Sequence, residues 1–324
     1  MKYIKHICIA DTTYTLSLYL LYMSIGDIEK TLFFVGDTIN SEIKKRLPNV
    51  VCIPTKNFDW KTGAKYKFLK YLHWPCLAWC PIYAQDHITY SDVLIGNRKY
   101  TFIEDSPGTF SQLDEVSFLG PFIPNRGDCF KRRIKYFLAH SAIHGKTFGT
   151  NNQCTNRIIT SPKDIKSKYV EGRSYELASL ADLWKNCDDE KKEFIINLFS
   201  ISRTTINDAP CVDLLILSQP FVEDCGLSLD EMLQLYKPYV ERFNSIVIKI
   251  HPRDKFDYKK YFPNVEIMRN QAPMQLLNAM GVVYPRALTV CSTALSAMPS
   301  NTERIYLGTK INSKILDTYG DLCN

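Results

Sequence analysis

The chain reads as an α/β protein made of two doubly wound domains. Three observations predict this. Short runs of β-branched and aromatic residues alternate with helical patterns through the first half, which is the signature of a mostly parallel sheet. The same alternation resumes after residue 211. The length, 324 residues, suits about two domains.

Taken in order, residues 4–10 predict a strand and 13–24 a buried helix, too short to span a membrane. Residues 31–36 (Thr-Leu-Phe-Phe-Val-Gly) predict a second strand, 40–46 a helix and 50–54 a third strand. Residues 92–96 and 100–104 predict further strands, closing a domain at 1–146. Residues 147–210 are polar, with helical patterns over 174–184 and 188–199, and read as a bridging segment. The domain 211–324 opens on a strand at 213–218 and an amphipathic helix at 229–243. Strands follow at 245–250, 265–268, 288–291 and 304–307, with helices at 273–280, where proline leads, and from 294 to 297.

Composition narrows the class. A hydrophobic share of 45% is ordinary for a soluble protein. The aromatic share of 12%, with 19 Tyr and 17 Phe, is compatible with sugar-stacking surfaces. A net charge of +6 suits anionic partners such as sugar nucleotides, acidic glycans or a membrane surface. It is too mild and scattered for nucleic acid. Eleven cysteines, an odd number without a Cys-x-x-Cys pair, suit buried free thiols in a reducing cytoplasm. The N-terminus lacks the pattern of a signal peptide. The basic stretch 127–146 reads as a solvated helix face, or as a contact with anionic lipid or an acidic acceptor.

The most telling segment is 245–254, Ser-Ile-Val-Ile-Lys-Ile-His-Pro-Arg-Asp. Pro252 holds His251 extended at a strand end, where open α/β sheets bind ligands. An imidazole there makes a phosphate a better leaving group. Ser292-Thr293 closes a later strand and opens a helix, as an anion site or a simple cap. Glu104-Asp105 ends another strand before Ser106-Pro107-Gly108, as a base or an acidic turn. Asp230 and Glu231 stand where the helix dipole alone would favour them. His140 and His144 lack the zincin glutamate, and no Asp-x-Asp, P-loop, Gly-x-Gly-x-x-Gly or nucleophile elbow occurs. These absences argue against an ATPase, a dehydrogenase or an α/β-hydrolase.

In order and spacing, Glu104-Asp105, His251-Pro252 and Ser292-Thr293 resemble the motifs of bacterial sialyltransferases, most closely glycosyltransferase family 52, with its lipooligosaccharide and capsule enzymes. The resemblance spans nearly the whole chain, though that family places glycine directly after the acidic pair. It implies a GT-B-type fold, two Rossmann-like domains facing a cleft. It implies an inverting transfer of sialic acid from CMP-sialic acid to a terminal sugar, often galactose, with no metal or cofactor. On this resemblance His251 serves the CMP phosphate as general acid or electrostatic partner, and Ser292 and Thr293 bind that phosphate. Asp230 has the spacing of the base, with Asp105 its rival. Glu266 is expected to accept ribose hydroxyls, and Pro220 and Phe221 to flank the donor pocket.

Such an enzyme is expected in the cytoplasm or on the inner face of its membrane, as a monomer or a homodimer. Competing readings are a glycerophosphotransferase-like enzyme of envelope polymer synthesis and a non-catalytic glycan-binding protein.

Overall fold

The computed structural model describes residues 3–55, 59–72, 79–115, 134–135, 138, 140–141 and 147–322, except 252, 269 and 297. It divides into two units, Met1–Leu198 and Phe199–Asn324.

Among the described residues the first unit carries seven parallel strands: β1 (His6–Ala10), β2 (Thr31–Val35), β3 (Val50–Cys52), β4 (Ile82–Ala84), β5 (Tyr100–Ile103), β6 (Cys154–Ile159) and β7 (Glu176–Leu177). Their order is β3-β2-β1-β4-β5-β6-β7. β1 and β2 are buried along their whole length, as strands covered on both faces must be. The helix Thr13–Tyr22 follows β1, with Thr12 capping it by accepting the Thr15 N–H. Tyr19 within it is fully buried, and its hydroxyl meets Thr31 Oγ1 at 2.7 Å. The helix Ser41–Arg46 starts at an Asn40 cap and ends on Lys44, Lys45 and Arg46, in the sense the helix dipole favours.

Three expectations are corrected here. Residues 92–96 are not a strand but belong to the helix Ser91–Ile95, ended by Gly96 at φ 63°. A short, fully buried apolar run cannot be told from a strand by periodicity, and the left-handed glycine is the helix-ending signal. The strand of this region is β4, three residues long. Residues 147–210 are not a helical bridge, since they contribute β6 and β7 to the first sheet and the units divide at Leu198. Within them, residues 174–184 split into β7 and the helix Leu180–Lys185.

Among the described residues the second unit has five parallel strands: β8 (Leu214–Leu217), β9 (Ile246–Lys249), β10 (Glu266–Met268), β11 (Arg286–Thr289) and β12 (Glu303–Tyr306). Their order, β10-β9-β8-β11-β12, repeats the 3-2-1-4-5 order of the first sheet's first five strands. The helix Leu229–Val240 begins at a capping box between Ser228 and Glu231. It buries Met232, Leu235 and Tyr236 in a core with Ile216, Ile248 and Leu288, each side chain stabilising by roughly 1.5–3 kcal/mol. Eight cysteines among the described residues are free thiols. Cys8 is buried as expected, but Cys52 is exposed and Cys291 half-buried.

Candidate active site

Ligands of parallel α/β sheets bind beyond the carboxyl ends of the strands, where strand order reverses. That point lies between β8 and β11 in the second unit and between β1 and β4 in the first.

In the second unit, His251 stands two residues beyond β9. Its backbone N–H donates to Ser218 Oγ (3.0 Å), and the Ser218 hydroxyl donates to Asp254 Oδ2 (2.5 Å). Asp254 also accepts from the Tyr258 hydroxyl (2.9 Å) and the Phe256 N–H (3.0 Å), while its own N–H returns to the His251 carbonyl (2.9 Å). The turn is thus wound around one buried carboxyl group, which burial pushes above the ordinary carboxylate range. His251 Nδ1 accepts the Arg253 N–H at 3.2 Å. Accepting there leaves the imidazole proton on Nε2, the free donor of the ring. Burial lowers the His251 pKa, Arg253 adds to this, and Asp224 opposes it. Arg253 itself grips Asp224 with two bonds, at 2.7 and 2.8 Å.

On the far side of β8, the Ser292 N–H donates to Thr289 Oγ1 (3.1 Å), and that hydroxyl donates to the Leu217 carbonyl (3.0 Å). Ser292 Oγ accepts the Ala294 N–H at 3.3 Å. The helix expected over 294–297 is a single 3₁₀ turn, Thr293–Leu295, so the Ser292 hydroxyl serves as its cap. Thr293 opens the turn. His251, Ser218 and Ser292 therefore close three adjacent strands, β9, β8 and β11.

Other expected residues fare differently. Pro252 lies outside the described residues. Pro220 is buried just before the helix Phe221–Cys225. Phe221, expected at a donor pocket, is instead a core residue with no exposed surface, its ring edge-on to Tyr319. Glu266 pairs with Val247 across β10 and β9, which sets it roughly 13 Å back from His251 along the strand. Glu266 lines a cavity of about 710 Å³ with Asp208, Phe256, Asn270 and Tyr284, which neither His251 nor Ser292 borders. Asp230 is exposed in the first turn of the helix Leu229–Val240, beside the Glu231 of the capping box.

In the first unit the acidic pair divides. Glu104 is fully buried, accepts the Tyr14 hydroxyl (2.5 Å) and the Thr160 hydroxyl, and burial raises its pKa to about 7. It is a core group with no exposed surface. Asp105 is partly exposed, with Oδ1 accepting from Gln85 Nε2 (2.5 Å) and Oδ2 lying 3.8 Å from His87 Nε2. Gln85, Asp86 and His87 escaped the sequence reading because β4 before them is only three residues long. Ser218, Asp254 and Lys249 escaped it too. Lys249 is a charged residue inside an apolar strand, and burial brings its ammonium down to about 8. That interruption of the run was the available signal.

His140 Nδ1 lies 3.3 Å from Asp92 Oδ2. His144 and most of the basic stretch 127–146 lie outside the described residues. Among the described residues no three His, Cys, Asp or Glu side chains gather as a metal site, and no helix is long and apolar enough to cross a membrane.

Comparison with known proteins places this geometry. An uncharacterized protein of Haemophilus influenzae is 28% identical over 243 residues, which span 74% of this chain and 72% of that protein. The fold is shared with the GT-B domain of a sialyltransferase from Photobacterium damselae (TM-score 0.59, 10% identity, 93% of this chain and 90% of that one). It is also shared with an alpha/beta-galactoside alpha-2,3-sialyltransferase from Photobacterium phosphoreum (TM-score 0.53, 11% identity, 98% and 96%). The architecture is thus of GT-B type. The model of glycosyltransferase family 52 matches residues 128–314, which include His251, Ser292 and Asp230. This is more than half of the sequence, and the chain belongs to glycosyltransferase family 52.

Proposed function

We propose that this protein is a metal-independent, inverting sialyltransferase. It moves sialic acid from CMP-sialic acid to a terminal sugar, galactose, of a bacterial surface glycan such as lipooligosaccharide or capsule. The observation that carries the reading is His251: a half-buried imidazole at the carboxyl end of β9, with Nδ1 occupied by the Arg253 N–H and Nε2 left as the ring's donor. Family membership and the fold shared with sialyltransferases support it.

The chemistry needs two events. An acceptor hydroxyl loses its proton, and its oxygen bonds to the anomeric carbon of the sialic acid. The bond from that carbon to the phosphate oxygen breaks, and its electron pair leaves with CMP. His251 Nε2–H steadies the charge developing on the phosphate, and Ser292 and Thr293 bind the same group from the end of β11. The proton goes to a carboxylate. Asp230 and Asp105 are the two candidates, and the fixed hydrogen bonding of Asp105 favours it.

The test is CMP release from CMP-N-acetylneuraminic acid, with and without lactose, in EDTA. Lactose-stimulated release that persists in EDTA and vanishes in His251→Ala supports the reading. Release abolished by EDTA removes its metal-independent part. No release sinks it and turns attention to CDP-glycerol and other nucleotide donors.

A further inference from the structure

The carboxyl edge of the first sheet holds a polar arrangement that no sequence motif announces. Gln85 is fully buried beyond β4. Its Oε1 accepts the N–H groups of Asp11 (2.5 Å) and Thr12 (3.3 Å), both beyond β1. With the oxygen committed, the amide orientation is settled, and Nε2 donates to Asp105 Oδ1 at 2.5 Å. One carboxylate oxygen is therefore held by the scaffold. The other, Oδ2, faces His87 Nε2 at 3.8 Å.

His87 is itself fixed. Its ring stacks on Phe148, with centroids 4.5 Å apart and planes 13° apart. Phe148 sits at φ 55°, in the left-handed region, which is unfavourable for a residue that carries a Cβ. Asp86 holds it there. This buried carboxylate accepts the Phe148 N–H (2.6 Å), the Gly149 N–H (2.7 Å) and the Tyr100 hydroxyl (2.5 Å). His87 Nδ1 is buried and has no partner among the described residues, so Nε2 is the nitrogen through which the ring acts. A strained backbone maintained to aim one imidazole at one carboxylate points to a site.

The gap of 3.8 Å is too long for a direct hydrogen bond. It is short enough for one hydroxyl group to touch both atoms, donating to Asp105 Oδ2 and accepting from His87 Nε2–H. We propose that His87 and Asp105 form a two-point clamp for a single hydroxyl of a neutral sugar, with His87 a catalytic residue of the transfer. Asp105 Oδ2 takes the hydroxyl proton while Nε2–H stays on the oxygen, stabilising the negative charge that grows as that oxygen bonds to the anomeric carbon. The CMP phosphate leaves with the electrons of the broken bond. The catalytic part of this proposal rests on the sialyltransferase reading. The hydroxyl clamp does not.

The test separates ring from N–H. His87→Phe keeps an aromatic face on Phe148 and loses the donor, whereas His87→Gln keeps a donor. Acceptor kcat/KM is measured with lactose and CMP-N-acetylneuraminic acid, alongside thermal unfolding to confirm folding. His87→Phe is expected to fall about 100- to 1,000-fold, the usual effect of losing one such donor, and His87→Gln to recover at least about tenfold of that. His87→Phe within threefold of wild type, or His87→Gln no better than His87→Phe, overturns the catalytic role. Saturation-transfer NMR of lactose and a panel of neutral hexosides with the full chain reads the clamp without any donor. Binding lost in both His87→Phe and Asp105→Leu supports it. Binding unchanged in both, or absent from the wild type for every sugar tried, overturns it. A wild type that binds sugar but releases no CMP refutes the sialyl donor and leaves the clamp standing.

Discussion

Ser218 and His251 end neighbouring strands and are joined by a 3.0 Å bond from the histidine backbone N–H to the serine hydroxyl. The same hydroxyl donates to Asp254, so a single oxygen couples β8, β9 and the buried carboxyl group of the turn. Ser218→Ala leaves both neighbours without that partner inside the protein. It is expected to destabilise the second unit by about 1–3 kcal/mol, read by urea unfolding, and to lower CMP release more than its stability loss explains. Unchanged stability and unchanged release would show that the turn holds without it.

His251 predicts a pH dependence for nucleotide binding. Burial keeps its pKa below the ordinary 6.5, so the ring is mostly neutral at pH 7. A bound phosphate favours the protonated ring, so binding takes up a proton and CMP affinity rises as pH falls. By linkage the rise is steepest between the ring's pKa in the free protein and its higher pKa with CMP bound, and is less than tenfold per pH unit. Calorimetric titration of CMP between pH 5.5 and 8 checks it. The phosphate also titrates there, so the quantity of interest is the difference between wild type and His251→Asn. Parallel curves would place His251 away from the phosphate.

Asp105 and Asp230 can be told apart by paired substitutions. Asp105 has one oxygen held by Gln85 and the other open towards His87, while Asp230 is exposed at a helix start. Asp105→Asn is expected to lower lactose-dependent kcat at least about 100-fold, and Asp230→Asn less than tenfold. The reverse ranking would make Asp230 the base and leave Asp105 to hold the acceptor.

Glu104 makes the first unit sensitive to pH. Its carboxyl group titrates near 4.5 in the unfolded chain and at about 7 when folded. The folded state thus holds a proton that the unfolded state has released, and stability declines as pH rises from about 4.5 through about 7. At 1.36 kcal/mol per pH unit, the loss is up to roughly 3 kcal/mol. Glu104→Gln, which can still accept from Tyr14 and Thr160, is expected to remove most of this slope. Calorimetric unfolding of both proteins at pH 5 and pH 8 reads it, and equal slopes would mean that Glu104 is ionised throughout.

Much of the architecture was legible because apolar strands write themselves as runs. β1, β2, β8, β9 and β11 fall within a few residues of their expected positions, and His251 and Ser292 do end strands. Where the signal was short, the reading slipped. Residues 91–95 give the same apolar run as helix or as strand, and only the left-handed glycine behind them decides. β6, with Asn156 and Arg157 inside it, lacks the apolar pattern because Arg157 is buried with its guanidinium bonded to the Gly149 and Ser174 carbonyls. Phe221 looked well placed along the chain, but its burial is a property of the packed core. The Gln85–His87–Asp105 arrangement joins residues about twenty positions apart through a crossover, and no linear pattern encodes it.

The division at Leu198 also sets a timetable. Every described strand of the first sheet has been made once Leu177 leaves the ribosome, while the 126 residues from Phe199 to Asn324 are still to come. At about 5–20 residues per second, making those residues takes roughly 6–25 s. A parallel sheet whose central strands meet partners some 75 residues away is slow to form, and that interval gives it time. A substitution that delays the first sheet beyond the interval would cost yield of folded protein in the cell while leaving the purified enzyme's activity intact.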